Sequence, residues 1–190
     1  IDGMDDLVDR YNDGEINNLG GLDANYLPHA EFFRERYGME YGNYIQYSGA
    51  GPINQAVASG EVPAAVNADV SSLPVTEDND AEVVAVLTTN GSTVFTDAPD
   101  VTDGGFEHMD FIGQVTRSMW VPPETDPDAI EALTDAVEAT VNSDTIQSFS
   151  EDSGIRMAYG PPEEADDILE SVWREIPDVI DLEDLREAAE

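Results

Sequence analysis

The sequence has no cysteine, no lysine and only two histidines. The first absence rules out a disulfide framework and thiolate chemistry. The second leaves arginine as the only strong base, at Arg10, Arg34, Arg36, Arg117, Arg156, Arg174 and Arg186. These are scattered, so no basic patch exists to neutralise phosphates, and nucleic acid is excluded as a partner. His29 and His108 stand far apart without metal-ligand spacing and read as surface or helix-packing residues. No glycine-x-serine-x-glycine elbow supports a hydrolase triad. Asp78-Asn79-Asp80 suggests calcium, but the rest of an EF-hand loop is absent, so no metal site is expected. No run of about 18 apolar residues is present to span a membrane. No signal peptide is visible at Ile1, and the chain starts just before a helix, which gives the expectation that it is a piece of something longer.

What the sequence has in excess is acid. Of 190 residues 42 are Asp or Glu against seven basic ones, a formal net charge of −35 spread along the whole length. Such a chain repels itself at low ionic strength. At about 1 M salt the Debye length falls to about 3 Å and the repulsion is screened, so a halophilic source is expected. The alternative is an acidic surface for cations or basic partners. With 41% hydrophobic residues, the chain can still build a core. Its length allows one large domain or two small lobes.

Residues 4–11 read as a helix with Asp2 as its cap, and residues 15–18 as a short strand. Residues 19–25 (LGGLDAN) read as a turn-rich loop, followed by a helix over 26–37 closed by Gly38. Residues 71–79 read as a connector, 82–88 (EVVAVLT) as a buried strand, and Asn90-Gly91 as a turn. Asn90-Gly91-Ser92 is also a glycosylation sequon, weak on its own. Residues 98–102 read as irregular, and 110–121 as a long extended segment. Residues 126–141 form an amphipathic helix with Ile130, Leu133, Val137 and Val141 on its apolar face. A helix over 143–152, a strand over 155–159 and helices over 161–176 and 182–188 complete the chain. Alternating strands and helices imply an α/β fold with a mostly parallel sheet.

The densest information lies in residues 45–74, IQYSGAGPINQAVASGEVPAAVNADVSSLP. A strand through Ile45 and Tyr47 leads into Ser48-Gly49-Ala50-Gly51, and Pro52 suits a first helical turn. Ile53, Ala56 and Val57 share a helical face, Gly60 stops the helix, and Val62 opens a second apolar run to Val66. The N–H groups of such a helix start attract anions.

This block resembles the tyrosine–polar–glycine–small segment of tripartite tricarboxylate transporter solute receptors, the Bug or TctC family. Ala98-Pro99-Asp100-Val101, Met119-Trp120-Val121-Pro122-Pro123-Glu124-Thr125 and Pro161-Pro162-Glu163-Glu164 are similar to further family signatures at matching spacing. Departures are Pro63 where the family usually has Asp, Glu124 where it has Gly, and Trp173 one turn before its usual place. The family's N-terminal portion has no counterpart here.

The resemblance implies a type II periplasmic-binding-protein-like fold. Residues 3–113 would be the complete, ligand-facing α/β lobe, and residues 114–190 the helices and strand that return to the other lobe. It implies an extracytoplasmic receptor, anchored through a lipid or signal at its N-terminus, that captures a small organic carboxylate and hands it to membrane permease subunits. No catalysis and no cofactor are implied. Two loops would hold the ligand through backbone amides and small polar groups: Gly20, Gly21, Leu22, Asp23 and Asn25, and then Tyr47, Ser48, Gly49 and Ala50. Asp23 would serve there as a cap or hold a water, and Asn67 would offer an amide to the cleft. Plain capping and packing roles stand as the alternatives at each position. So do a ligand-sensing domain of a regulator, an enzyme on the same fold, and a fragment that binds nothing.

Overall fold

The first helix, α1 (Met4–Asn12), turns Met4, Leu7, Val8 and Tyr11 inward. Burying such side chains contributes about 1.5–3 kcal/mol each. Its N-cap is Gly3, not Asp2, and no side chain caps it; the Asp2 N–H instead donates to Asp6 Oδ2 at 2.9 Å. The computed structural model describes residues 1–78, 80–179, 181 and 183.

Strand β1 covers Asn18–Leu22, three residues later than expected and through the supposed loop. It is the middle strand of a parallel three-stranded sheet in the order β2-β1-β3, with β2 at Asn43–Tyr47 and β3 at Ala64–Val66. Gly20 and Gly21 lie inside this strand for a steric reason. A Cβ on Gly20 would meet Ala65 Cβ and Val62 Cγ2 at 3.2 Å. One on Gly21 would stand 2.7 Å from Tyr44 Cε2 and Cζ, inside the ring's van der Waals surface.

Helix α2 (Leu27–Tyr37) ends at Gly38, whose φ of 65° places it in the left-handed region where glycine is unstrained. Its Phe32, Phe33 and Tyr37 join Met4, Leu7, Tyr11, Leu19, Met39, Tyr41, Val66, Val101 and Met109 in one buried cluster. Helix α3 (Ala50–Ala58) follows β2, and α4 (Asp69–Glu77) follows β3. The connector expected at 71–79 is thus largely helix, with Pro74 tolerated inside α4. Asn79 lies outside the described residues.

The strand expected at 82–88 does not form. The segment is half-buried, but a single parallel bridge, Val86 to Asp100, replaces a ladder. Its backbone is tied by Val86 N–H to Pro99 O (2.8 Å), Val101 N–H to Val86 O (3.0 Å) and Met109 N–H to Leu87 O (2.9 Å). The extended stretch expected from residue 110 begins with one helical turn, α5 (Asp110–Gly113).

The chain divides into two compact units, Ile1–Gln114 with the described residues from Arg174 onward, and Val115–Trp173. The second contains α6 (Pro127–Val141) and α7 (Asp144–Ser153), capped by the Asp126 and Ser143 side chains. Most of α8 (Pro162–Glu175) lies there too. No residue of α6, α7 or α8 is buried. Ile130 and Leu133 of the predicted apolar face are exposed, as are Met119, Trp120 and Phe149. The strand expected at 155–159 is irregular. Gln147 Nε2 donates to Met157 O, and Met157 N–H donates to Ser150 Oγ at 3.1 Å. The segment's hydrogen bonds thus go to α7 side chains. The helix expected at 182–188 falls outside the described residues except at Glu183.

Candidate functional site

The register of the sheet decides which loops meet. Leu22 pairs with Tyr47 and Gly21 with Val66, so β1, β2 and β3 end level. Asp23, Ser48 and Asn67 therefore leave the sheet along one carboxyl edge, the side of an open parallel sheet where ligands bind. The three segments singled out from the sequence come together there within one compact unit.

Three helices begin near that edge, and they differ in what occupies their N-termini. At α4 a carboxylate is already in place: Asp69 Oδ1 accepts from the Val70 N–H at 2.7 Å, and its Oδ2 accepts from Ser92 Oγ at 2.8 Å. Ahead of α2, Asp23 Oδ1 accepts from the Asn25 N–H at 2.8 Å. At α3 no side chain caps the helix, and Pro52 in the first turn has no N–H. The first-turn N–H groups of Gly49, Ala50 and Gly51 are therefore orphan donors. A Cβ on Gly51 would meet nothing within 4 Å, so there is room beside the exposed Gly51. The helix dipole adds positive potential at the same place.

Of the other expected residues, Gly20 and Gly21 are buried strand positions rather than loop amides. Leu22 is the last residue of β1, and Asn25 is exposed in the turn before α2. Tyr47 packs its ring along Gly20 and donates from its hydroxyl to Glu61 Oε1 at 3.0 Å, toward the far end of α3. Its backbone carbonyl accepts from the Asp23 N–H at 3.1 Å, which ties the two edge loops together. Asp23 sits at φ 28°, the only positive φ outside glycine among the described residues. That region is strained for most side chains and best tolerated by Asn and Asp. Asn67 is half-buried directly after β3.

The family model described as "Tripartite tricarboxylate transporter family receptor" (TctC) matches residues 8–176. The chain belongs to that family. A solved structure, "R. palustris Rpa4515 with adipate", is similar over 94% of this chain and 61% of its own length, with a TM-score of 0.64 and 18% identity. That likeness shows the fold, an α/β periplasmic-binding-protein-like one, and the chain spans under two-thirds of the neighbour's length. No curated protein sequence matches the chain. No helix among the described residues is long and apolar enough to cross a membrane.

In this TctC chain the sequence reading missed Asn54, Asp69 and Ser92. Asn54 lies one turn after Ala50 on α3 and bonds to Asn67. Nothing local marks Asn54 out, since Gln55 beside it on α3 is polar too.

One buried titratable group lies beside the edge. His29 stacks on Tyr26, ring centroids 4.7 Å apart, and its Nδ1 is buried without a partner. Burial pushes its pKa down to about 4. Because the folded value lies below the usual 6.5, the unfolded chain takes up a proton that the folded chain refuses as pH falls from 6.5 to about 4. His29 should therefore remove about 3 kcal/mol of stability across that window. The variant His29→Phe keeps the stacking but gives up the ring's hydrogen bond to the Ile112 backbone, so it should be slightly less stable than the wild type at pH 7 and melt higher than it at pH 4.5. Parallel melts at both pH values check this, the difference between variants cancelling the many carboxylates.

Proposed function

We propose that the protein acts as an extracytoplasmic solute receptor. It captures a small organic carboxylate on the edge formed by Asp23, Ser48, Gly49, Ala50 and Asn67 and delivers it to membrane permease subunits without chemical change. The observation that carries this reading is the start of α3, which no side chain caps and which has room beside Gly51, at the carboxyl edge of a parallel sheet. Donor groups of this kind satisfy carboxylate oxygens without a cation. The neighbour's adipate is a linear dicarboxylate, a reasonable member of the ligand class. In this reading residues 3–113 form the ligand-facing lobe. Of the return segment expected at 114–190, residues 115–173, whose α6 stripe lies open, pack onto a further lobe across the cleft, and hinge motion closes the two on ligand, while the described residues from Arg174 onward stay with the first unit.

The test is a melt of the full-length gene product in about 2–3 M salt, which screens the charge, against mono-, di- and tricarboxylates including adipate. Binding to the folded state raises the melting temperature by mass action. A shift with one acid supports the receptor reading, and no shift with any acid counts against it. Asp23→Asn keeps the turn geometry and removes a negative charge from the edge. It should tighten carboxylate binding about threefold, a gain of roughly 0.6 kcal/mol, measurable by calorimetry.

A further inference from the structure

The half-buried amides of Asn54 and Asn67 form a short relay with a fixed direction. The Ala68 N–H donates to Asn67 Oδ1 at 2.9 Å. Asn67 Nδ2 donates to Asn54 Oδ1 at 3.4 Å. Asn54 Nδ2 donates to the Ser71 carbonyl at 2.8 Å. Both ends of this chain are backbone groups that cannot exchange roles, since a main-chain N–H only donates and a carbonyl only accepts. Flipping either amide would set donor against donor or acceptor against acceptor. The orientation of both side chains is thus determined by α4's first turn.

We infer that Asn54 is a positioning residue that locks the Asn67 amide with its nitrogen toward the ligand edge, so that this position presents a donor and selects carboxylate oxygens. The inference rests on the carboxylate-binding reading above. Asn67 has two Nδ2 hydrogens. One goes to Asn54, and the second is the one a ligand oxygen can take. Asn67 Oδ1, which would repel a carboxylate, is held on the Ala68 N–H. Without Asn54 the amide keeps only one anchor and can turn its oxygen outward. Asn54 touches no ligand in this scheme; it acts through Asn67. Its place on α3 also couples the amide to the helix that carries the orphan donors Ala50 and Gly51.

The test is a double-mutant cycle on the full-length gene product, read by calorimetry with whichever carboxylate of the panel binds tightest. Asn54→Ala and Asn67→Ala should each weaken binding about tenfold. The double variant should be no weaker than Asn67→Ala alone. Asn67→Asp, which exchanges the donor for an acceptor, should bind at least another threefold more weakly than Asn67→Ala. If Asn54→Ala weakens binding as much in the Asn67→Ala background as in the wild type, Asn54 acts by another route and the inference is overturned. A measurement on the unmutated protein guards against misfolding of the variants. In side-chain amide NMR, ligand should shift one of the two Asn67 Nδ2 protons and leave the other in place. Equal movement of both, or of neither, overturns the relay. If the unmutated protein binds no acid, the receptor reading fails first and this inference with it. Binding with an additive cycle removes the inference alone.

Discussion

Lowering the salt from about 3 M to about 0.1 M is expected to unfold the protein or to drop its melting temperature by about 10–20 °C. Arg10 pairs with Asp6 and Glu15, Arg34 with Glu31, and Arg36 with Glu107. Seven arginines cannot neutralise 42 acids, which outnumber them six to one. These pairs are exposed or, for Arg34 with Glu31, only half-buried, and surface pairs contribute little individually. At about 0.1 M salt the Debye length is about 10 Å, long enough for neighbouring surface acids to repel. The folded chain concentrates that charge, and the expanded chain relieves it. Native stability is about 5–15 kcal/mol, so a repulsion of about 5 kcal/mol consumes much of it. At about 2–4 °C per kcal/mol for a chain of this size, that gives the stated shift. Circular dichroism melts in a potassium chloride series check it. A melting temperature independent of salt would remove the case for a salt-adapted surface.

Replacing Gly21 by alanine should destabilise the fold by about 2–3 kcal/mol, the cost of overpacking a closed site, and lower the melting temperature by about 5–10 °C. The added methyl would overlap the Tyr44 ring. That ring cannot move freely, because Tyr44 sits on β2 beside β1 and its hydroxyl reaches Asp23 O at 3.4 Å. Displacing it disturbs Asp23 and the carboxyl edge together, so ligand affinity should fall with stability. In a Tyr44→Ala background the same glycine substitution should cost less than about 0.5 kcal/mol, since the obstructing ring is gone. Denaturant unfolding of the four proteins of this cycle measures the coupling. An equal cost in both backgrounds would mean that β1 tolerates a side chain and that its glycines serve another purpose.

The same two glycines explain where sequence reading went astray. Gly20-Gly21 beside Asp23 and Asn25 looks like turn chemistry, because local composition cannot register a tyrosine ring arriving from a strand two dozen residues away. Pro74 hid α4 in the same manner, and the apolar run at 82–88 resembled a buried strand when one bridge is all it forms. What was legible had local causes. Gly38 ends α2 by its left-handed backbone, Asp126 with Pro127 starts α6, and Ser143 caps α7. The edge segments at Asp23, Ser48 and Asn67 were legible as candidates, but their meeting depends on register, which only the sheet supplies. Asn54 was out of reach, since its role is defined by what Asn67 and Ser71 place around it.

The strand order has a temporal consequence. Asn18 must wait for Asn43, and Leu19 for Ala64, before β1 acquires its two neighbours. During synthesis the middle of the sheet leaves the ribosome first and closes last, and its unpaired N–H and C=O groups stay open in the meantime. With two glycines and little apolar side chain of its own, β1 makes a poor nucleus for association with other chains while it waits.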